Sequence, residues 1–214
     1  MTEAGHRVRK AVSGGWRSPT PSKGVGDLSK PETSAGLVEA AVERFGRIDS
    51  ATAFSGQVVT GSFADSTPED LDAVYEGCVK APYHFLKAVI PVMVDQQDGQ
   101  FLMLTSAAGA RPTRNAVVYS PARAGADMLV KNVASEVAGK NVQVNAVGTN
   151  FMDFPEFLRA SGANDPAIRA KIEAGVPQKR LGTVEECAAF CAVFLDGSSR
   201  FTTGQFVPYA GGWA

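Results

Sequence analysis

The residues with the clearest chemical potential are a serine, a tyrosine and an arginine in one short stretch. Ser106 follows an apolar run, Tyr119 lies thirteen residues later, and Arg123 lies four residues after the tyrosine. Because residues four apart share one face of a helix, Tyr119 and Arg123 should lie side by side. A phenol beside a permanent cation, with a serine hydroxyl in reach, can move a proton to or from an alcohol. The spacing therefore predicts a site that handles an alcohol oxygen.

Apolar runs and helix signals on both sides of this stretch predict the elements that position it. Strands are predicted over residues 8–12, 48–54, 101–105, 142–147 and 205–208. Helices are predicted between them over residues 32–45, 67–94 with a bend at Pro82, 120–139 with Ser120 as its cap, 165–174, and from 183 onward. Strands that alternate with helices predict an α/β, Rossmann-like, doubly wound parallel sheet, here in a single domain of 214 residues. Ligands of such sheets bind beyond the carboxyl ends of the strands, where Ser106 is predicted to lie.

The composition argues against several classes of partner. Lys and Arg total 21 and Asp and Glu total 22, and no basic run with interleaved aromatics indicates a nucleic-acid surface. No run of about eighteen apolar residues predicts a membrane span, and the first residues lack the apolar centre of a signal peptide. The three cysteines and two histidines have no metal-ligand spacing, so no metal site is expected, and Cys187 and Cys191 are predicted to be buried thiols. A soluble, cytoplasmic protein that binds a small molecule is expected.

Ser106, Tyr119 and Arg123, together with the segments VQVNAV and RLGTVEE, resemble the short-chain dehydrogenase/reductase superfamily, and within it the halohydrin dehalogenases. The resemblance covers nearly the whole chain. Reductases of the superfamily carry a lysine four residues after the tyrosine, where it holds the nicotinamide ribose, whereas this chain has YSPAR. The resemblance implies a cofactor-independent enzyme that converts vicinal halohydrins to epoxides with halide release, and opens epoxides with small anions in reverse. In this implied mechanism Tyr119 removes the hydroxyl proton, Ser106 binds the same oxygen, and Arg123 supports the phenolate.

The segment GTNFMDF after the strand at 142–147 is similar to the halide loop of the dehalogenases. The resemblance implies that the halide lies near the main-chain N–H groups of Phe151 and Met152, and it assigns halide binding to Thr149, Asn150, Phe151 and Met152. Backbone donors suit a halide because they add no competing full charge. Phe154 and Phe157 are assigned to the wall of the substrate pocket.

The resemblance also bears on the start of the chain and on assembly. Full-length dehalogenases begin with a strand and a loop that forms one wall of the halide pocket, and this chain is expected to lack both. A homotetramer is implied. Two alternatives stay open: an NAD(P)-dependent short-chain oxidoreductase, and an inactive truncated homologue or scaffold subunit. Gly24 and Gly26 do not form a dinucleotide fingerprint, because no strand leads into them and Ser29 stands where a third glycine would fall.

Overall fold

A four-stranded parallel sheet forms the centre of the computed structural model, which describes residues 27–214. The predicted strand at 8–12 and the glycines Gly24 and Gly26 lie outside the described residues. The strands are adjacent in chain order: β1 Ser50–Phe54, β2 Gly99–Ser106, β3 Val142–Thr149 and β4 Phe206–Tyr209. The α/β, Rossmann-like class predicted from the alternating pattern is confirmed.

Seven α-helices accompany these strands within residues 27–214: α1 Pro31–Phe45, α2 Pro68–Tyr75, α3 Ala81–Gln96, α4 Tyr119–Val137, α5 Pro155–Ser161, α6 Pro166–Gly175 and α7 Val184–Ala192. Local sequence explains several of their ends. Thr67 and Thr183 each form a capping box, which satisfies N–H groups that the first turn leaves open. Gly46 ends α1 with a positive φ of 75°, which glycine adopts without steric cost.

Helices cover both faces of the sheet because successive strand residues point to opposite sides. Phe101 and Met103 pack in one cluster with Val130 of α4 and with apolar residues of α1 and α3. On the other face, Leu102 packs with Cys191 and other residues of α7. Full burial of a side chain such as Phe101 contributes about 1.5–3 kcal/mol, and the prediction of buried thiols in α7 is confirmed.

The helix predicted over 67–94 is interrupted rather than merely bent. A π-helical turn, Glu76–Lys80, joins α2 to α3. Pro82 follows it and has no N–H to donate to the carbonyl of Cys78, four residues earlier, so the regular hydrogen-bond ladder cannot run through this point. The interruption places Gly77 and Cys78 against the segment that follows β1.

The helix that carries Tyr119 begins before the predicted cap. Ser120 is not the cap, because its N–H donates to the carbonyl of Ala116 at 2.9 Å and so already belongs to a turn that starts earlier. The N-cap is Val118, which offers no side-chain acceptor. Tyr119 therefore stands in the first turn of α4, directly after the loop that leads from β2.

Residues 27–214 contain neither a membrane-spanning helix nor a metal-binding cluster. No helix there has both the length and the apolar character needed to cross a membrane. No group of three or more His, Cys, Asp or Glu side chains is placed to hold a metal ion in the same residues.

Candidate active site

The carboxyl ends of β2 and β3 bring Ser106 and Thr149 side by side, as register partners in the parallel ladder. Gly148 permits this close approach, since a Cβ there would lie 2.8 Å from both the nitrogen of Ala107 and the carbonyl carbon of Ser106. The Ser106 hydroxyl accepts a hydrogen bond from the Ala108 N–H at 3.2 Å and so caps the short turn that follows β2. Its own proton is left to donate to a bound oxygen.

Tyr119 and Arg123 are in direct contact on one face of α4. The Arg123 Nε–H donates to the Tyr119 hydroxyl oxygen at 3.0 Å. Arg123 is only 7% exposed, whereas Tyr119 is half-buried. A buried cation that donates to a phenol oxygen stabilises the phenolate form. Within residues 27–214 no hydrogen bond joins Ser106 to this pair, so the structure joins two of the three predicted catalytic residues directly and places the third on the neighbouring strand end.

The other end of the Arg123 guanidinium is held by the segment that follows β1. Its Nη1 donates to the Ser55 carbonyl at 3.0 Å. A Cβ on Gly56 would overlap Nη2 and would lie 2.7 Å from Cζ. The sequence predicts Ser55 and Gly56 only as a strand end; a glycine directly after a parallel strand, at the edge where ligands bind, is the signal that could have identified them.

Asp127 lies one turn beyond Arg123 on α4 and is 5% exposed. Neither of its carboxyl oxygens has a hydrogen-bond partner among the described residues, and a Cβ on Gly109 would overlap Oδ2. Burial raises the pKa of Asp127 to about 7, although Thr105, Arg123 and Lys131 each act to lower it. The Thr105 hydroxyl is itself buried and makes no hydrogen bond of normal geometry in this part of the chain, so its support is weak.

Asp127 is not among the site residues predicted from the sequence. Its signal was an acid four residues after Arg123, and therefore on the same face of the same helix. That face also carries Ala122, Ala126 and Val130, which are buried in the structure. An acid at such a position cannot reach water, so the apolar periodicity alone would have marked it as unusual.

The predicted halide loop lies beside a cavity of about 290 Å³. Asn150, Phe151 and Met152 line this cavity and Thr149 does not, and the remaining lining comes from the segment that leads into α7, from the first turn of α7, and from β4 and the residues after it. The Phe151 N–H, however, donates to the side-chain oxygen of Asn150 at 2.9 Å. The Met152 N–H has no hydrogen-bond partner within the described residues, while its neighbours pair with Gly182.

The predicted pocket wall belongs to an aromatic cluster. The ring of Phe157 lies 6.1 Å from that of Phe151 and 6.4 Å from that of Phe154, and Phe151 also contacts Trp213 at 5.5 Å. Neither Phe154 nor Phe157 lines the 290 Å³ cavity or a second, open one of about 520 Å³ beside the head of α4. The three predicted catalytic residues line neither cavity.

Comparison with known proteins assigns the family. The sequence model of a family described as Enoyl-(Acyl carrier protein) reductase matches residues 3–214. The chain belongs to the short-chain dehydrogenase/reductase superfamily. It is similar to Oxidoreductase UcpA of Escherichia coli (strain K12), with 29% identity over 84% of this chain and 70% of the relative. Dehydrogenase/reductase SDR family member 4 of Bos taurus is 31% identical over 86% of this chain and 66% of the relative.

Solved structures of short-chain dehydrogenase/reductase proteins share the fold. One, described as a dehalogenation enzyme, has a TM-score of 0.81 and 30% identity, over 85% of this chain and 75% of that chain. Levodione reductase has a TM-score of 0.83 and 25% identity, over 88% of this chain and 75% of that chain. The chain is thus related to enzymes named mainly as oxidoreductases. These names favour the oxidoreductase alternative over the dehalogenase interpretation.

The surroundings of Arg123 differ from those of a cation whose head is open to a nicotinamide ribose. In the superfamily's reductases a lysine at this position reaches the ribose, which requires a cation whose head is free to bind a sugar. Here the guanidinium is almost wholly buried, with Nε on Tyr119 and Nη1 on Ser55. Arg123 is therefore committed to protein partners at both ends.

Proposed function

We propose that the chain is a halohydrin dehalogenase, which converts vicinal halohydrins to epoxides without a cofactor. The observation that carries the proposal is the position of the Arg123 guanidinium, which donates hydrogen bonds to both the Tyr119 hydroxyl and the Ser55 carbonyl. A lysine offers one compact ammonium group and could not bridge these partners in the same way. The likeness to a dehalogenation enzyme, at 30% identity, agrees with the proposal.

The reaction needs one proton transfer and one intramolecular displacement. The Tyr119 oxygen, as phenolate, takes the proton of the substrate hydroxyl, while the Ser106 hydroxyl donates to the same oxygen. The alkoxide forms a C–O bond to the adjacent carbon, and the C–halogen bond breaks with its electron pair on the halide. The products are an epoxide and a halide ion, and the proton on Tyr119 passes to solvent. Arg123 holds the Tyr119 oxygen in place through its Nε–H.

For the halide, we assign the loop after β3, with Thr149, Asn150, Phe151 and Met152 around the anion. The unbonded N–H of Met152 and the cavity beside it support this placement. Because Asn150 already occupies the Phe151 N–H, its side chain has to turn away before that donor can meet a halide. Phe154 and Phe157 are proposed to wall the substrate pocket through their contacts around Phe151.

An NAD(P)-dependent oxidation or reduction is the second candidate, and the names of the relatives favour it. The two functions require different surroundings for the Arg123 guanidinium. A dehalogenase needs the cation only beside the phenol, whereas an oxidoreductase also needs it beside the ribose. The buried, doubly held guanidinium supports the first.

One experiment separates the candidates. Purified protein is incubated with a vicinal bromohydrin, and halide release is followed; NADH and NADPH consumption with carbonyl substrates is followed separately. Halide release that is lost in Tyr119→Phe, and kept in the matched control Tyr83→Phe on the surface of α3, supports the dehalogenase. Cofactor consumption without halide release supports the oxidoreductase, and neither activity supports an inactive homologue.

A homotetramer is part of the same proposal. Large apolar side chains are exposed on the helices α2 and α4: Leu71, Tyr75 and Met128. Apolar groups that are exposed together on a surface often mark contacts between subunits. Sedimentation of the purified protein tests this, and a monomer at micromolar concentration would contradict it.

A further inference from the structure

Behind the Arg123 guanidinium, two glycines let three segments of chain pack without intervening side chains. Gly77, in the π-helical turn between α2 and α3, touches the segment after β1: a Cβ on it would lie 2.8 Å from the Gln57 nitrogen and 3.1 Å from the Gly56 carbonyl carbon. Gly56 in turn touches the guanidinium, where a Cβ would lie 2.7 Å from Cζ. Real Cβ atoms do not come this close, so both positions exclude any larger residue without a shift of the neighbours.

We propose that Gly56 and Gly77 are positioning residues that set the place of the Arg123 guanidinium, and so its hydrogen bond to Tyr119. The inference rests on the proposed function, in which the Tyr119 oxygen is the base. Gly56 contacts the guanidinium directly, and Gly77 packs against the backbone of Gly56 and Gln57 on the side away from Arg123. Neither residue touches the substrate.

The π-helical turn is what brings Gly77 into this stack. The Cys78 thiol also donates to the Gln57 carbonyl, at 3.4 Å, so the turn is tied to the segment after β1 by a hydrogen bond as well as by contact. A single-turn widening of a helix often accompanies a functional site. Here the π-helical turn packs against the segment after β1 that contacts the Arg123 guanidinium.

The width of the cation is the reason that Gly56 matters. Arg123 presents a planar fork, and its Nη2 end is the part that a side chain at position 56 would meet first. A lysine at position 123 has no such branch, so it should be indifferent to a methyl group there.

The test is a set of variants assayed for halide release across pH. Displacing a catalytic group by about 1 Å can lower the rate by about 10²-fold, and a loss of this size in kcat is expected for Gly56→Ala. Because Gly56 has a φ of 155°, its alanine variant also carries backbone strain. Gly77→Ala, which adds its methyl group in a helical turn, is the second variant and should lower kcat by about 10-fold through a smaller shift.

Three readouts distinguish positioning from a general structural defect. With the cation displaced, kcat should fall while KM stays near that of the parent, because neither glycine contacts the substrate. In an Arg123→Lys background, Gly56→Ala should cost no further activity, which makes the two changes strongly non-additive. Gly36→Ala is the matched control, since a Cβ there meets nothing within 4 Å among the described residues.

The outcomes are separable from those of the proposed function. If the parent protein releases no halide, the proposed function fails before the variants are compared. If the parent is active but Gly56→Ala and Gly77→Ala keep its kcat, the positioning role is overturned. A Gly56→Ala protein that does not fold supports the inference if Arg123→Lys restores folding, because the guanidinium is then the group in conflict. Failure to fold in both backgrounds overturns it.

Discussion

Arg123 and Asp127 occupy successive turns of α4, and the two positions deal with a buried ionisable group in opposite ways. Arg123 is 7% exposed and Asp127 is 5% exposed. The arginine is paired, because its Nη1 and Nε groups donate hydrogen bonds to the Ser55 carbonyl and the Tyr119 oxygen. The aspartate has no hydrogen-bond partner within residues 27–214, and burial drives it toward the neutral acid. The two side chains are buried to nearly the same extent, so the difference between them lies in their hydrogen-bond partners.

The difference follows from what lies beside each turn. Arg123 faces the segment after β1, where the strand has ended and the Ser55 carbonyl is no longer used by the sheet. Asp127 faces the end of β2 and the turn after it, where Gly109 packs directly against its carboxyl group. A charge on Asp127 would also act on Arg123 from one turn away and compete with the phenolate for the same cation. A neutral Asp127 thus keeps the cation available to Tyr119.

Replacing the cation should have the largest effect on activity. For Arg123→Lys we expect kcat for halide release to fall by about 10²–10³-fold, within the usual range for disturbing a general base. A lysine keeps a charge but cannot bridge Tyr119 and Ser55. Stopped-flow or steady-state halide measurement at several pH values checks this. Asp127→Asn, which keeps the shape of the neighbouring turn, serves as the comparison and should remain within about 3-fold of the parent. Equal losses in both variants would remove the distinction between the two turns.

The acid should dominate the pH dependence of stability. The pKa of Asp127 is near 4 in an unfolded chain and about 7 in the folded protein, so folding takes up a proton between these values. Its neutral form is fully compatible with folding below about pH 4, and stability falls as pH rises from about 4 through about 7, by roughly 4 kcal/mol in total. Urea unfolding at pH 5 and pH 8 measures the part of this loss that falls above pH 5, about two thirds of it.

Asp127→Asn should remove most of that pH dependence, because an amide does not ionise. The exposed Asp72 on α2 offers a control, since Asp72→Asn leaves the buried site unchanged. An Asp127→Asn protein that loses as much stability between pH 5 and pH 8 as the parent would show that the buried acid is not the responsible group.

The same two turns show how far the sequence alone leads. Apolar runs predicted β2 and β3 well, because strands covered on both faces are nearly continuous in hydrophobicity. The pairing of Tyr119 with Arg123 followed from helical spacing. The hydrogen bond between Arg123 and Ser55 could not be predicted in this way, because it joins residues 68 positions apart in the sequence. The start of α4 and the π-helical turn were also mispredicted, since a carbonyl acceptor at Ala116 and a missing N–H at Pro82 outweighed the local cap signals.

The smallest expected effect comes from Thr105, whose hydroxyl lies beside the Asp127 carboxyl group. Thr105 is buried and its hydroxyl has no hydrogen-bond partner among the described residues, yet its proximity lowers the pKa of Asp127. Thr105→Val keeps the shape, so the free energy of unfolding at pH 5 should change by less than about 1 kcal/mol. Without the hydroxyl, the pKa of Asp127 should rise further, and the pH at which stability is lost should move upward. Thr52→Val on the exposed face of β1 is the control. A midpoint that does not move in Thr105→Val would show that the Thr105 hydroxyl gives Asp127 no support, and the contrast with the hydrogen-bonded Arg123 would be sharper.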